Sequence, residues 1–317
     1  MRVMSYNVLA PRYVTTERYF HCPQWALAKE YRAHSLVKEV EYYQPDIVCF
    51  QELTREMKQG YFDPLLGNLG YSATNLVQIL STTRDEVTHL RSSNSDASVE
   101  GVGIYFNNTR MELLDTVEVG LDDISVADGR VVSPNSHNVA QVALLRSMIW
   151  PQSVILIATV HLYYGKERPE VQIGQLCKID AVLTQKADEY RASGYTVGVL
   201  FAGDLNSEWG SATTQYIAST MARGSLQWSY SAYQQANPTH VTAISPGYRG
   251  TIDYIWFDKS VWTHVTNVLA TLCSEQAVDP STGVEGDHVG RILLPTPQYP
   301  SDHLPVVCTL SSTTFQF

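Results

Sequence analysis

The sequence lacks three features that would each narrow its class: paired cysteines, a long apolar run and an excess of basic charge. Its five cysteines are odd in number and form no Cys-x-x-Cys pair, so we expect mostly buried free thiols in a reducing compartment. No run approaches the roughly 20 apolar residues of a membrane span, and no basic-then-apolar signal segment opens the chain. These absences favour an intracellular, cytoplasmic protein without a membrane partner, and leave a nuclear or organellar location open.

Basic charge is also scarce, since the formal net charge is −10. A broad cationic face that grips long duplexes is therefore not expected. The charge permits a local cationic or metal-filled cleft, which suits short or single-stranded nucleic acid. The apolar fraction of 44% and charged fraction of 17% are those of a globular protein.

Apolar runs and helical periodicities alternate along the chain, which indicates a mixed α/β fold. No repeat or change in composition divides the 317 residues, so we expect a single domain over 1–317. Two polar segments, near 80–98 and 122–136, are predicted as surface loops. Residues 101–106 and 111–119 are predicted as adjacent strands joined by the turn at Asn107. The predicted helices span about 24–43, 168–191 and 212–221, with Ser211 as the N-cap of the last.

Polar side chains follow many of the predicted strands. A single one could be an Asx turn that closes a strand, because Asp and Asn bond readily to their own backbone. So many at strand ends are hard to explain as packing, since layered α/β folds bind ligands there. The residues are Asn7, Glu52, His161, Asp204, Asn206, Asp253, Asp302 and His303.

The chemistry of this set indicates a reaction. Carboxylate and amide oxygens without paired cysteines favour Mg²⁺ or Mn²⁺ over zinc. Such ions bind phosphoryl oxygens and lower the pKa of a bound water. The sequence therefore predicts metal-assisted hydrolysis of a phosphate ester.

Six motifs that contain these residues occur in order along the chain. They are Ser5-Tyr-Asn7-Val-Leu-Ala, Gln51-Glu52-Leu, Thr159-Val-His161-Leu-Tyr-Tyr, Gly203-Asp204-Leu-Asn206-Ser207, Ile252-Asp253-Tyr-Ile and Pro300-Ser-Asp302-His303-Leu-Pro. Together they resemble the motifs of the endonuclease/exonuclease/phosphatase superfamily. The resemblance implies a deoxyribonuclease-like fold, in which a two-layer β-sandwich is flanked by helices in four α/β/β/α layers.

Within that superfamily the chain looks most similar to the carbon-catabolite-repression-type deadenylases, nocturnin and the 2′,5′-phosphodiesterase. The likeness implies that Tyr248 stacks on a terminal base, a contact worth about 1–3 kcal/mol; a turn position within Pro246-Gly-Tyr-Arg-Gly is an equal alternative. Two positions depart from the deadenylase pattern. Thr159 replaces an asparagine, and Gly165-Lys166 replaces a segment that contains proline.

Chemistry and resemblance together suggest a role for each residue. Metal ligation is assigned to Glu52, to Asp302 at a second ion, and to Asn7, which completes the shell or orients Glu52. The remaining roles are catalysis by His161, Asp204, Asn206, Asp253 and His303, and substrate binding by Tyr248, Arg249 and Lys166. For Arg249 and Lys166 a solvated surface position is an equal alternative.

Three functions remain open at this level. The first is a Mg²⁺- or Mn²⁺-dependent 3′→5′ exoribonuclease that acts on single-stranded RNA tails, as in mRNA decay. The second is a 2′,5′-phosphodiesterase or 2′-phosphatase of small nucleotides, which the acidic net charge mildly favours. The third is a non-catalytic nuclease-like subunit of an RNA-processing complex.

Overall fold

Two six-stranded sheets organise the protein, which was analysed as a computed structural model. The structure describes residues 1–77, 99–125, 131–132, 138–165, 167–229, 241–269 and 293–312. Among these residues the strand order is β15-β16-β1-β2-β4-β3 in the first sheet and β11-β14-β10-β9-β8-β5 in the second. Two hairpins, β6-β7 and β12-β13, lie outside the sheets. The strands are β1 Arg2–Asn7, β2 Ile47–Thr54, β3 Tyr71–Ala73, β4 Glu100–Asn107, β5 Met111–Gly120, β6 Ile124–Ser125, β7 Val131–Val132, β8 Val139–Ser147, β9 Ser153–His161, β10 Thr196–Asp204, β11 Leu226–Trp228, β12 Ala243–Ser245, β13 Tyr248–Gly250, β14 Asp253–Asp258, β15 Thr263–Leu269 and β16 Val306–Ser311.

Helices cover the outer faces of the sheets. The α-helices are α1 Gln24–Leu27, α2 Lys29–Tyr43, α3 Arg55–Met57, α4 Asp63–Asn68, α5 Pro169–Ala192 and α6 Ala212–Ser219, and a π-helical turn, Lys58–Phe62, joins α3 to α4. Helix α2 connects β1 to its parallel neighbour β2. Helix α5 connects β9 to its parallel neighbour β10 in the same way. Each β-α-β unit brings the carboxyl ends of two strands to one edge of its sheet.

Alternation along the strands builds the four layers. On β1, Val3 belongs to the core between the sheets, whereas Met4 packs with the α2 residues Leu36 and Val40. The other outer layer is α5, whose Leu176, Ile179, Leu183 and Ala187 are buried. Period-two alternation on the strands and 3.6-residue periodicity on the helices account for this arrangement. The predicted α/β/β/α sandwich is confirmed.

Two local predictions were wrong. The predicted helix 24–43 is broken at Ala28, which has an extended backbone. Strands β4 and β5 do not pair, because β4 lies in the first sheet and β5 in the second. The Asn107 side chain accepts a hydrogen bond from the Thr109 amide, and this turn carries the chain from one sheet to the other. The prediction of mostly buried free thiols is confirmed for the described cysteines, since Cys22, Cys49 and Cys308 are buried and Cys177 is exposed.

Other predictions were confirmed or lie outside the described residues. Ser211 caps α6, since its side chain accepts a hydrogen bond from the Thr214 amide. The polar segment 80–98 is outside the described part of the chain, as is Cys273. The segment 122–136 is described only in part, where β6 and β7 pair. No helix among the described residues is both long and apolar enough to cross a membrane.

Gly203 has a backbone that only glycine adopts easily, with φ of 152°. A Cβ at this position would lie 2.1 Å from the Val160 carbonyl oxygen on the adjacent strand. We expect Gly203→Ala to lower the free energy of unfolding by about 3 kcal/mol or more, because neither backbone can yield. Urea denaturation measures this. Gly67→Ala is the matched control, since a Cβ there meets nothing within 4 Å, and it should be neutral or stabilising; equal losses in both variants would contradict the argument.

Glu39 on α2 is an acidic group in an unfavourable place. Its Oε2 atom is buried and has no hydrogen-bond partner within the described chain. Burial raises the pKa of Glu39 to about 8, and the neighbouring Tyr6 hydroxyl offsets this rise only in part. The protonated form therefore fits the fold better than the carboxylate.

A pH dependence of stability follows. In the unfolded chain the pKa of Glu39 is near 4.5. Below that pH the raised pKa makes its full contribution to the stability of the fold, and the contribution is lost as the pH rises through about 8. We expect Glu39→Gln to remove that slope and to exceed the parent in stability at pH 9 by about 2–4 kcal/mol. Denaturation midpoints from pH 5 to 9 test this. A slope that is the same in both proteins would disprove it.

Candidate active site

A cleft of about 360 Å³ opens at the end of the sandwich where β1, β2, β9 and β10 finish. Strand ends and loops from both sheets contribute to its wall. The lining residues are Leu9, Tyr13, Arg18, Glu52, His161, Tyr164, Asp204, Asn206, Ala243, Ser245, Tyr248, Ile252, Asp302 and His303. Six of the eight predicted strand-end residues line this cleft, and the other two, Asn7 and Asp253, are buried beside it and bond to lining residues.

Glu52 occupies a β-bulge. The register between β2 and β4 passes from Gln51 opposite Val102 to Leu53 opposite Gly101, which leaves Glu52 without a partner. Its φ is 56°, in the left-handed region that non-glycine residues seldom enter. A bulge redirects a side chain out of the alternating pattern, and here the result is a carboxylate that lines the cleft.

In the second sheet, three functional side chains share one row. Asp204 on β10 lies opposite His161 on β9 and opposite Asp253 on β14. Register partners in adjacent strands project to the same face of a sheet. The His161 Nε2 atom is accordingly 3.5 Å from Asp204 Oδ2. The Asp204 Oδ1 atom accepts a hydrogen bond from the backbone N–H of Asn206 at 2.9 Å.

The Asn7 side chain links the two sheets at the base of the cleft. Its Nδ2 donates to Glu52 Oε1 at 2.9 Å and to Asp204 Oδ2 at 3.0 Å. Its Oδ1 accepts from the Leu9 amide at 3.0 Å, and this contact fixes which end of the amide faces the carboxylates. Of the two roles considered for Asn7, the geometry supports orientation of Glu52, because the amide oxygen points away from the carboxylates.

His303 and Asp253 form a buried pair. The His303 Nδ1 atom lies 2.9 Å from Asp253 Oδ2, and Nε2 lies 3.8 Å from Asp204 Oδ2. Burial lowers the pKa of His303, but the carboxylates of Asp253, Asp204 and Asp302 outweigh it and hold the pKa well above the ordinary 6.5. The imidazole is thus held as a cation with Nε2 at the cleft.

Asp302 lies next to His303 on the same loop. Its Oδ2 accepts a hydrogen bond from the buried Tyr19 hydroxyl at 2.7 Å, and Arg18 is 3.7 Å from the same oxygen. The Oδ1 atom is buried without a hydrogen-bond partner among the described residues. Ser301 anchors the loop, because its hydroxyl donates to the Asn7 carbonyl at 2.8 Å.

Arg32 is a site-supporting residue that sequence reasoning missed. Its side chain is fully buried, and its guanidinium donates to the carbonyls of Val8, Leu9 and Pro300. It therefore ties the loop after β1 to the loop that carries Asp302. The helical periodicity could have identified it. Arg32 stands four residues before Leu36, so it lies on the apolar face of α2, where a charged side chain is unusual. Tyr19 had no comparable signal.

The three predicted substrate-binding residues, and Thr159, each lie in a different setting. Tyr248 lines the cleft, with its hydroxyl 3.5 Å from Glu208 Oε1. Arg249 is exposed and is absent from the cleft lining. Successive side chains of a strand point to opposite faces, so Arg249 faces away from the side on which Tyr248 lies. Lys166 lies outside the described residues. Thr159 is buried, and its hydroxyl accepts a hydrogen bond from Gln51 Nε2 at 3.0 Å.

The donor set fits a hard divalent cation. Glu52, Asp204 and Asp302 line one cleft, and the Asp302 Oδ1 atom lacks a partner within the described chain. Asp204, Asp253 and His303 also bring potential ligand atoms within 4.8 Å of one another. Because Asp253 and His303 bond to each other and Asp253 does not line the cleft, the three lining carboxylates are the better ligand set. Oxygen donors of this kind suit Mg²⁺ or Mn²⁺.

The His303–Asp253 contact makes a prediction for the metal-free protein. In Asp253→Asn the largest influence that raises the pKa of His303 is gone. We expect the pKa to fall by about 1 unit or more, which corresponds to about 1.4 kcal/mol or more of lost stabilisation of the imidazolium. Histidine NMR titration measures it, with His34→Gln as an assignment control. An unchanged pKa would show that Asp253 does not hold the charge.

Comparison with known proteins places this arrangement in context. The sequence pattern of the Endonuclease/Exonuclease/phosphatase family matches residues 4–303. The Ccr4 3′-5′-exoribonuclease subunit of the CCR4-Not complex from Schizosaccharomyces pombe is 23% identical over 95% of this chain and 48% of its own length. Human nocturnin is 28% identical over 99% of this chain and 65% of its own length. The chain thus spans about half the length of the Ccr4 proteins that it matches.

Solved structures share the fold. The human nocturnin catalytic domain superposes with a TM-score of 0.69 at 24% identity, covering 99% of this chain and 94% of that one. The 2′,3′-cyclic phosphatase ANGEL2 superposes with a TM-score of 0.73 at 21% identity, covering 98% and 95%. Since the family pattern covers nearly the whole chain, from the motif of Asn7 to His303, the protein belongs to the endonuclease/exonuclease/phosphatase family.

Proposed function

We propose that this protein is a divalent-metal-dependent phosphodiesterase that removes nucleotides from the 3′ end of single-stranded RNA. One observation carries the proposal: the carboxylates of Glu52, Asp204 and Asp302 and the imidazoles of His161 and His303 line one cleft, although they come from separate strand ends. The similarity to Ccr4 exoribonucleases and nocturnin supports the substrate class.

The metal site is formed by Glu52 as principal ligand, with Asp204 and Asp302 in reach of the same cleft. A bound Mg²⁺ or Mn²⁺ would neutralise phosphoryl oxygens and lower the pKa of an attacking water. Asn7 keeps the Glu52 and Asp204 carboxylates in place by donating to both. Mutual repulsion of these carboxylates would otherwise move them apart.

The other residues act on the substrate directly. The His303 imidazolium presents Nε2 to a nonbridging oxygen of the scissile phosphate, and Asp253 fixes the ring through Nδ1. Asp204 accepts the proton of the attacking water, and Asn206 holds that water or the phosphate. His161 stabilises the charge that develops on a phosphoryl oxygen, a contribution often of about 10²–10³ in rate.

Base recognition is assigned to Tyr248. Its side chain lines the cleft, and its hydroxyl lies 3.5 Å from Glu208 Oε1; we assign to this ring the stacking of an unpaired base. Stacking of this kind tolerates different bases, so the geometry favours a single-stranded end without selecting between adenine and uracil.

A second candidate is a phosphatase or phosphodiesterase of small nucleotides, including 2′,5′-linked ones. The observation in its favour is the charge of the cleft, where Arg18 is the only arginine or lysine among the described lining residues. Long RNA usually binds to more cationic surface. A non-catalytic role in an RNA-processing complex is less consistent with a complete set of carboxylates and imidazoles.

Single substitutions test the catalytic proposal. We expect Glu52→Ala and Asp204→Ala each to lower kcat/KM at least 100-fold, because each removes a charged group from the reacting centre. EDTA should abolish activity, and added Mg²⁺ or Mn²⁺ should restore it. Glu56→Ala is the matched control, since Glu56 is exposed and pairs with Lys29, and it should retain full activity.

The substrate panel separates the candidates. Labelled RNAs that end in A₂₀ or U₂₀ are compared with 2′,5′-linked oligoadenylate and NADP. Stepwise shortening of an RNA tail would support the exoribonuclease and show its base preference. Turnover of the small nucleotides alone would replace it with the second candidate. Full activity in both Glu52→Ala and Asp204→Ala would overturn the assigned site.

A further inference from the structure

The charges along the cleft are unevenly distributed. Its described lining contains the carboxylates of Glu52, Asp204 and Asp302, but Arg18 is the only arginine or lysine. A bound cation and His303 together account for one phosphate at the reacting centre. Among the described lining residues, Arg18 is the remaining arginine or lysine that can receive a further phosphate of the substrate.

The contacts of Arg18 leave its guanidinium available. It stacks over the Tyr19 ring, 5.2 Å from the centroid, and lies 3.7 Å from Asp302 Oδ2, beyond hydrogen-bonding distance. The Tyr19 hydroxyl already donates to that oxygen at 2.7 Å. Within the described chain the guanidinium makes no hydrogen bond, and its side chain is 48% exposed. Stacking on a buried, anchored ring preorganises the fork of donors.

Arg12 shows the opposite situation in the same segment. Its guanidinium contacts both the Glu100 carboxylate and the Tyr13 hydroxyl, so its charge is already neutralised. Its side chain is 41% exposed, close to the value for Arg18. The two arginines therefore differ in their partners rather than in their accessibility.

We infer that Arg18 binds a second, non-hydrolysed phosphate of the substrate and so selects substrates with more than one phosphate. The position supports this, because Arg18 and His303 both lie near one carboxylate: Asp302 Oδ2 is 3.7 Å from Arg18 Nη2, and Asp302 Oδ1 is 4.0 Å from His303 Nε2. Arginine binds phosphate oxygens through parallel N–H donors. The inference rests on the proposed function only for the identity of the reacting phosphate. The second phosphate is either the next diester of an oligonucleotide or a terminal monoester.

Equilibrium binding separates these possibilities. Isothermal titration in Ca²⁺ compares ApA, which has one phosphodiester, with pApA and ApApA, which have a second phosphate. We expect the wild-type protein to bind pApA or ApApA at least tenfold more tightly than ApA. In Arg18→Ala that preference should fall by about 10- to 100-fold, as for the loss of a charged hydrogen-bonding partner, while ApA binding stays within twofold. Arg12→Ala should keep the preference.

Each outcome has a defined meaning. Loss of affinity for pApA alone identifies a terminal phosphate, and loss for ApApA alone identifies the next diester. Equal binding of all three compounds by the wild-type protein overturns the inference, as does an equal loss for ApA in Arg18→Ala, which would mean that Arg18 acts through Asp302. Turnover of the same compounds in Mg²⁺ is measured separately. A preference for two phosphates without any hydrolysis would refute the proposed function and leave the role of Arg18 standing.

Discussion

The Asn7 side-chain amide donates to one carboxylate from each sheet, and the geometry of the cleft depends on these two hydrogen bonds. Glu52 belongs to the first sheet and Asp204 to the second, so the contact joins the layers where their strands end. The amide can do this because the Leu9 backbone occupies its oxygen. A neutral donor brings two anions together without cancelling their charge, which leaves both carboxylates able to attract a cation.

Backbone strain is concentrated around the same contact. Asn206 has a positive φ of 49°, which asparagine tolerates because its short polar side chain suits the left-handed region. Leu9 and Glu52 have φ angles of 55° and 56°, and for these residue types the conformation is uncommon. Such conformations cost about 1–3 kcal/mol each and persist only where the surroundings enforce them. Here the enforcement comes from the buried Arg32, which holds the loop after β1, and from the hydrogen bonds of Asp204. The fold thus spends stability to place polar groups at one end of the sandwich.

Electrostatic balance explains how so many acidic groups share one region. His303 is held as a cation by Asp253, Asp204 and Asp302, and the buried Arg32 is close enough to interact with both Asp302 and Glu52. Arg32 is buried away from the cleft, whereas His303 lines it together with the carboxylates of Glu52, Asp204 and Asp302. The described wall of the cleft therefore combines three carboxylates with two imidazoles and a single arginine, Arg18.

Much of the site could be predicted because strand ends are set by local sequence. The apolar runs before Asn7, Glu52, His161 and Asp204 are readable from alternation and length, and a parallel β-α-β unit sends such ends to one edge. The periodicities predicted a mixed α/β domain, and the four layers were implied by the resemblance of the motifs. Other features needed the tertiary structure, since they depend on contacts between distant residues. The bulge at Glu52 arises from the pairing of β2 with β4. The direction of the Asn7 amide is set by the packing of the two sheets. Arg12 and Arg18 differ because Arg12 contacts Glu100 closely, whereas Arg18 lies 3.7 Å from Asp302. Local propensity does not encode these contacts, because each is decided by how the sheets and loops pack against one another.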